Sequence, residues 1–207
     1  NYTFDNNLKN ISLDGIFSIK TYFNTELSYT YDWDIFKNYL GVNYKYLGKS
    51  ELNFKSSPNE LFSLTLRMTF GKDLAYNEQI PEVGKEFTLY AMPMFQLGNK
   101  VNISPSIRYA RLKNLENNLD YFNGYISRFS VRYQFNNFLN IRLVSEYNAF
   151  TERFFVQPLI QWNPNPSTIF YMGGNQNSIE DFNDEFYSPF RIDKTQFFLK
   201  FQYLIGL

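Results

Sequence analysis

The sequence contains no cysteine and no histidine among its 207 residues. Without cysteine, disulfide bridges, thiolate nucleophiles and cysteine-ligated metal ions are excluded. Without histidine, the most frequent general base and the commonest metal ligand are also missing. A surplus of one charge is lacking too, because 20 Lys and Arg balance 20 Asp and Glu. Composition therefore favours no cofactor, no metal ion and no nucleic-acid partner.

Long hydrophobic runs are absent as well. No apolar stretch approaches the roughly 20 residues that a membrane-spanning helix needs, and the mean hydropathy is −0.39. A transmembrane β-barrel escapes this test, because only every second residue of its strands faces lipid. Aromatic residues, by contrast, make up 20% of the chain, and barrels place such residues in girdles at both membrane interfaces.

The chain is rich in alternation with a period of two, which predicts β-strands. The clearest case is 62–70, where five apolar residues alternate with Ser, Thr and Arg. The last stretch, 195–207, alternates in the same way up to the final residue. A closed membrane barrel has to end on such a strand, because its last strand pairs with its first and leaves no edge in lipid.

About twelve strands of roughly ten residues are expected, which is the length that crosses a tilted barrel wall. Two classes of connection alternate along the chain, short ones at 57–60, 98–99, 136–137 and 163–166 and long ones at 71–84, 111–119 and 176–192. Short turns on one side and long loops on the other are typical of outer-membrane proteins. We therefore predict an all-β fold over residues 1–207: a transmembrane antiparallel up-and-down β-barrel of about 12 strands with both termini periplasmic.

A soluble lipocalin-like barrel or a β-sandwich would also alternate with a period of two. The solvent face of such a protein would be denser in Lys and Glu, whereas these polar faces carry mainly Ser, Thr, Asn, Gln and isolated Arg. Aromatic residues at the predicted strand ends fit interfacial girdles: Trp33, Tyr121, Phe135, Phe150 and Trp162. Against the membrane interpretation, Pro93, Pro105 and Pro158 fall inside strands, and each costs a ladder hydrogen bond unless it lies at a bulge.

From residue 132 onward, a set of short motifs is familiar: Arg132-Tyr133-Gln134-Phe135, Glu146-Tyr147-Asn148 with Phe150, Gln157-Pro158-Leu159, Asn163-Pro164-Asn165-Pro166, Phe170-Tyr171-Met172-Gly173, and Phe198-Leu199-Lys200 with Tyr203-Leu204. This part of the chain resembles the C-terminal barrel of an uncharacterised family of Bacteroidota outer-membrane proteins with a family-9 carbohydrate-binding-like N-terminal domain. Ser167 stands where that family typically has glycine, and Gly174 where an aromatic residue is common. The resemblance implies a barrel in the outer membrane that is the C-terminal part of a longer protein.

The predicted polar faces carry a set of charges that would line the lumen of a barrel: Arg67, Arg108, Arg128, Arg132, Arg142, Glu146 and Lys200. The early strands add acids in the same phase: Asp14, Glu26, Asp32 and Glu51. Such charges either set the ion selectivity of a pore or pair with one another across a narrow interior. Because neighbouring guanidiniums repel one another, we expect Glu146 to pair with Arg128 or Arg132. We expect Asp14, Glu26 or a loop carboxylate to balance the remaining arginines.

The longest predicted loop, 176–192, holds a group of acids: Glu180, Asp181, Asp184 and Glu185. Aromatic rings lie among them in the sequence: Phe182, Phe186, Tyr187 and Phe190. A calcium site or an aromatic platform for a sugar would use such residues. Their spacing matches no known calcium loop, so a loop folded over the barrel mouth is the simpler interpretation.

No catalytic residue is predicted. Outer-membrane barrel hydrolases resemble one another in needing a histidine beside Ser, Asp or Asn, and this chain has none. A glycosidase with a carboxylate pair stays formally open, although nothing in the spacing of Glu51, Glu86 and Glu146 pairs them.

We therefore expect a non-enzymatic barrel in the cell outer membrane, in contact with lipid and lipopolysaccharide. It would be a transport or scaffold component of an envelope complex with other envelope proteins, and the family resemblance links it to glycan handling. The alternative is a passive small-solute porin.

Overall fold

The computed structural model describes residues 2–5, 8–22, 24–76, 78, 80–180 and 190–204, with side chains from Ser12 onward. The regular elements in this part of the chain are strands: β1 (Tyr2–Asp5), β2 (Leu8–Thr21), β3 (Thr25–Tyr39), β4 (Val42–Asn59), β5 (Phe62–Leu74), β6 (Val83–Leu97), β7 (Val101–Asn114), β8 (Asp120–Gln134), β9 (Leu139–Asn148), β10 (Arg153–Asn165), β11 (Thr168–Glu180) and β12 (Phe190–Tyr203). No helix in these ranges is both long and apolar enough to cross a membrane.

The described strands form one sheet in which sequence neighbours are also neighbours in space, from β1 to β12. β1 has four residues, and the other strands have between 10 and 18. Successive strands are antiparallel, so the sheet is an up-and-down meander. The predicted all-β, antiparallel up-and-down fold with about twelve strands is thus confirmed, although most strands are longer than the predicted ten residues.

Some predicted boundaries are wrong. Residues 36–47 do not form one strand, because Leu40 and Gly41 make a two-residue turn with φ angles of 50° and 80°. A type I′ hairpin needs positive φ at both central residues, and Leu40 gives no sequence signal for it. β4 then continues through Pro58, so the turn predicted at 57–60 falls at residues 60–61 instead. The connections predicted at 71–84 and 111–119 shrink to 75–82 and 115–119 for the same reason: the strands run further.

Asparagine closes several of the turns. The Asn136 side-chain oxygen accepts hydrogen bonds from the backbone N–H groups of Phe138 at 2.8 Å and Leu139 at 2.9 Å. The Asn59 side-chain oxygen accepts hydrogen bonds from the backbone N–H groups of Leu61 and Phe62, both at 2.9 Å. An asparagine side chain can replace a backbone acceptor in this way, which explains why the predicted turns are rich in this residue.

The chain divides into two compact units. The first comprises Asn1–Pro58, Leu64–Ala91 and Arg108–Gly124, and the second comprises Asn59–Ser63, Met92–Ile107 and Tyr125–Leu207. In the first unit, Tyr44, Leu47 and Leu74 form a small buried cluster. The Tyr44 hydroxyl, which is buried with them, donates to the Pro81 carbonyl at 2.5 Å, so its polar end is satisfied.

The register of β8 to β12 in the second unit separates a polar from an apolar face. One face presents charged and amide side chains on most strands: Arg128, Arg132 and Gln134, then Asn140, Arg142 and Glu146, then Gln157 and Gln161, then Asn177, then Lys194, Gln196, Lys200 and Gln202. The opposite face presents large apolar side chains: Phe129, Val131, Tyr133, Leu139, Ile141, Leu143, Phe154, Val156, Ile160, Trp162, Phe170, Met172, Phe197, Leu199 and Phe201. The alternation read from the sequence therefore has the predicted phase.

The first unit repeats this separation on β2 to β4. Asp14, Asp32 and Lys49 lie directly opposite one another in register. The adjacent register position holds Leu13 of β2, Trp33 of β3 and Gly48 of β4. These three residues belong to the other face. At this level of β2, β3 and β4 the charged side chains therefore lie on one face and the tryptophan and leucine on the other.

The three predicted strand prolines lie inside β6, β7 and β10. Pro158 stays in register with Leu143 of β9, whereas the pairing of β10 with β11 skips from Val156 to Leu159. The missing donor of proline explains this gap in the ladder. A Cβ on Gly173 would approach the Pro158 carbonyl oxygen to 2.8 Å, so the glycine lets the two backbones come close at this point.

Candidate functional site: charges of the polar face

The predicted partner of Glu146 is found on β8. Arg128 and Glu146 face each other in register, and Arg128 Nη1 lies 3.1 Å from Glu146 Oε2. The pairing predicted from phase and adjacency is confirmed. Both side chains are partly exposed, at 50% and 31% of their surface, so water screens the attraction.

Arg132 and Arg142 also face each other in register, four residues further along the same two strands. Neither has an ion-pair partner in the described part of the chain, and the buried Nε of Arg142 makes no hydrogen bond there. Two guanidiniums on one face, with no carboxylate between them, create a local excess of positive charge.

The early acids predicted to balance these arginines have other partners. Glu26 Oε2 lies 4.0 Å from Lys20 Nζ on the neighbouring strand. Asp14 lies opposite Asp32 in register. For Asp14 and Glu26 register decides which side chain meets the acid, and here it places each of them beside a residue of the neighbouring strand. Asp181, Asp184 and Glu185, the other candidates, lie outside the described residues.

The other predicted lumen cations each have a local contact. Arg67 Nε donates to Asn53 Oδ1 at 2.8 Å and lies 3.8 Å from Glu51 Oε1. The Arg108 guanidinium lies 5.4 Å from the centre of the Tyr90 ring. Lys200 Nζ is 5.7 Å from the centre of the ring of Tyr171, its register partner on β11. The Arg108–Tyr90 and Lys200–Tyr171 contacts are cation–π interactions.

A charge cluster in the first unit was not predicted. Lys49 Nζ is hydrogen-bonded to Asp73 Oδ2 and lies 3.1 Å from Glu86 Oε2. The phase of Lys49, two residues before Glu51, was the signal that could have indicated its face. Glu51, Glu86 and Glu146, the carboxylates considered for a glycosidase, each lie beside a cation.

A second unpredicted cluster lies next to the connections 75–82 and 115–119. The Tyr121 hydroxyl donates to Glu82 Oε2, and Asn114 Nδ2 donates to the Tyr121 oxygen at 2.5 Å. Asn114 Nδ2 also lies 2.8 Å from Glu82 Oε2. Desolvation and the Glu82 carboxylate raise the pKa of Tyr121 to about 12, because both disfavour the phenolate.

A cavity of about 490 Å³ opens at the short-turn ends of β6, β7 and β8. Polar side chains and one methionine line it: Met94, Gln96, Asn99, Lys100, Asn102, Ser104, Ser130, Arg132 and Gln134. Asn102 Nδ2 donates to Gln96 Oε1 at 3.0 Å, and Ser104 Oγ donates to Asn102 Oδ1 at 2.9 Å. The lining contains two cations and no carboxylate.

The predicted loop site is only partly within the described residues. Glu180 is the last residue of β11, and its Oε2 accepts a hydrogen bond from the Tyr147 hydroxyl at 2.7 Å. Asp181, Asp184 and Glu185 lie in 181–189, outside the described ranges, so the calcium and sugar-platform interpretations stay untested predictions. In the described part of the chain, no three Asp or Glu side chains come together as metal ligands.

Comparisons with protein-family models, with curated proteins and with solved structures each found no match to this chain. The resemblance to the Bacteroidota family therefore stays a prediction.

Proposed function

We propose that this chain is an outer-membrane β-barrel whose apolar face contacts lipid. The observation that supports this most is the exposure of neighbouring residues on β9. Leu143, on the apolar face, is 41% exposed, whereas Val144, on the polar face, is 2% exposed. A soluble sheet packs its apolar face and exposes its polar one; at this pair of residues the order is reversed, as a lipid-facing wall requires.

Residues of the apolar face are also exposed along β12. Phe197 and Leu199 are 86% and 77% exposed, and both lie on the apolar face. An exposed apolar surface of this extent needs an occupant. Acyl chains fit best, because aromatic rings border the surface at both strand ends.

These aromatic rings form two groups in the second unit. Near the short turns, Phe170 stacks with Trp162 at 5.3 Å and packs against Phe201 at 5.0 Å. Near the other ends, Phe190 packs against Phe154 at 5.5 Å and Tyr147 at 6.1 Å. Eight residues separate Phe154 from Trp162, or about 27 Å along the strand, and about 21 Å across a membrane at a tilt of ~40°. This is close to the ≈ 25 Å apolar band of outer-membrane barrels.

In lipid, the edges of the sheet would have to close. Unpaired backbone groups each cost several kcal/mol where no water is present. We therefore propose that β1 and β12 pair in the membrane and complete an even-numbered barrel with both termini periplasmic. A folded barrel of this kind should migrate differently on a denaturing gel before and after boiling, and identical migration would contradict closure.

Arginine substitution on β12 tests the lipid contact directly. Phe197→Arg places a charge near the middle of the proposed apolar band, and a cost of about 2–4 kcal/mol is expected in lipid. Gln196→Arg, one residue away on the polar face, is the matched control and should cost less than ~1 kcal/mol. Equal stabilities of the two variants in urea titrations of lipid-reconstituted protein would contradict the proposal.

Within that membrane setting, we propose a transport or scaffold role without catalysis, in a complex with other envelope proteins. Glu51, Glu86 and Glu146 each pair with a cation in the described part of the chain, which supports a role for these three carboxylates other than catalysis. A passive small-solute porin is the second candidate, and the polar cavity of about 490 Å³ favours it. Planar-bilayer recording separates the two: steady conductance from the isolated chain indicates the porin, and a silent barrel indicates the scaffold.

A further inference from the structure

We propose that the cavity at the short-turn ends of β6, β7 and β8 binds a small hydroxylated organic anion through Arg132 and Lys100. The charge of its lining comes from these two residues alone, since the other lining side chains are neutral. Neither cation has an ion-pair partner among the described residues. An oxyanion such as a phosphate or carboxylate group would supply the counter-charge that the chain does not.

A pair of arginines lies beside the cavity. Arg142 lies opposite Arg132 in register, and its buried Nε has no hydrogen-bond partner in the described part of the chain. A buried donor without a partner costs free energy, and like charges side by side add to that cost. An anion held at Arg132 lowers the repulsion between the two guanidiniums. The nearby Arg128 cannot play this part, because Glu146 already neutralises it.

The rest of the lining indicates what the anion carries. Gln96, Asn102 and Ser104 form a chain of hydrogen bonds with one another, and amide and hydroxyl groups of this kind can bond the hydroxyls of a solute. The volume of about 490 Å³ lies within the ~300–1,000 Å³ typical of small-molecule sites. A phosphorylated monosaccharide has the required anionic group, hydroxyl groups and size, whereas inorganic phosphate would leave most of the cavity to water.

Calorimetric titration of the purified full chain in detergent tests this site independently of membrane function. The probes are glucose 6-phosphate, glucose and inorganic phosphate. We expect saturable binding of glucose 6-phosphate, weaker binding of phosphate and weakest binding of glucose. If glucose binds as tightly as glucose 6-phosphate, the proposal that the site recognises an anion is wrong. If inorganic phosphate binds as tightly as glucose 6-phosphate, the proposal that the site recognises hydroxyl groups is wrong.

Substitutions then assign the binding to the residues. Arg132→Gln should weaken glucose 6-phosphate binding about tenfold or more, because a charge-assisted bond is lost. Lys100→Gln, in an exposed turn, gives a second variant if the first fails to fold. Arg153→Gln removes the same charge from the first residue of β10, which does not line the cavity. This control variant should bind glucose 6-phosphate with unchanged affinity. Wild-type affinity in both cavity variants, or an equal loss in the control, would overturn the assignment.

Discussion

A sharp test of the packing concerns Gly71, which lies where β5 passes close to β4. Its φ angle is 154°, a backbone conformation that is essentially restricted to glycine. A Cβ at this position would lie 2.2 Å from the Gly48 carbonyl oxygen and 2.7 Å from the Lys49 Cα. Backbone atoms cannot turn away as a side chain can, so Gly71→Ala forces the two strands apart beside the Lys49–Asp73 ion pair.

The magnitude follows from two separable costs. The backbone conformation costs an L-residue about 1–3 kcal/mol, and overpacking against fixed atoms adds about 1–3 kcal/mol. We expect Gly71→Ala to lower the free energy of unfolding by about 2–6 kcal/mol. Gly98→Ala isolates the first cost, because Gly98 has a φ of 60° with open space around it, and about 1–2 kcal/mol is expected. Gly15→Ala meets neither constraint and should be neutral or slightly stabilising.

Urea unfolding followed by tryptophan fluorescence can measure these differences. Trp33 is a local reporter, because its ring approaches the Cβ position of Gly48 to 3.5 Å. A Trp162→Phe background removes the other tryptophan and leaves the first unit as the source of the signal. If Gly71→Ala loses no more stability than Gly98→Ala, the close approach of the two strands is wrong.

Three further predictions concern the charged groups. A double-mutant cycle of Arg128→Gln and Glu146→Gln should give a coupling of about 0.2–1 kcal/mol, because the pair is partly exposed; a coupling of zero in low salt would contradict the contact. If the polar face conducts ions, Arg132→Gln should reduce anion preference in reversal-potential measurements, whereas the charge-neutral double variant Arg128→Gln with Glu146→Gln should not. The pKa of Tyr121 is raised to about 12, so its protonated form is favoured by folding. Its contribution to stability should be full below the ordinary pKa near 10 and lost as pH rises through 12; Tyr121→Phe should remove that pH dependence, and an unchanged alkaline profile would contradict the Tyr121–Glu82 contact.

The faces of the strands were predictable because side-chain direction in a strand has a fixed period of two. Arg128, Arg132, Arg142 and Glu146 follow from this rule alone, since they share one phase on two adjacent strands. Strand ends were less predictable. β5 continues three residues beyond Gly71, because the absence of a side chain lets the strand pass close to the Gly48 carbonyl. In the sequence, the same glycine indicated the start of a loop.

Register was the first thing that the sequence left open. A shift of two residues keeps every side chain on its face but replaces Arg128 with another residue opposite Glu146. The structure fixes the choice through the turn at 135–138, where the Asn136 side chain accepts two backbone hydrogen bonds. The resulting register places Gln134 opposite Asn140 and carries Arg128 to Glu146. Sequence reasoning could therefore name two candidates for the partner but not choose between them.

The uncompensated arginines follow from the same register. Glu146 is the one acid on this face in the stretch where residues 126–134 of β8 pair with residues 140–148 of β9, so when it pairs with Arg128 it leaves Arg132 opposite Arg142. Lys100 then adds to the positive charge from a turn, where no strand phase predicts the direction of a side chain. The cavity is lined by β6, β7, β8 and the turn between β6 and β7. Its lining therefore depends on how each of these strands is registered with its neighbour. Alternation can indicate that a face is polar, but the register and the turn geometry decide where on that face an anion would find unpaired positive charge.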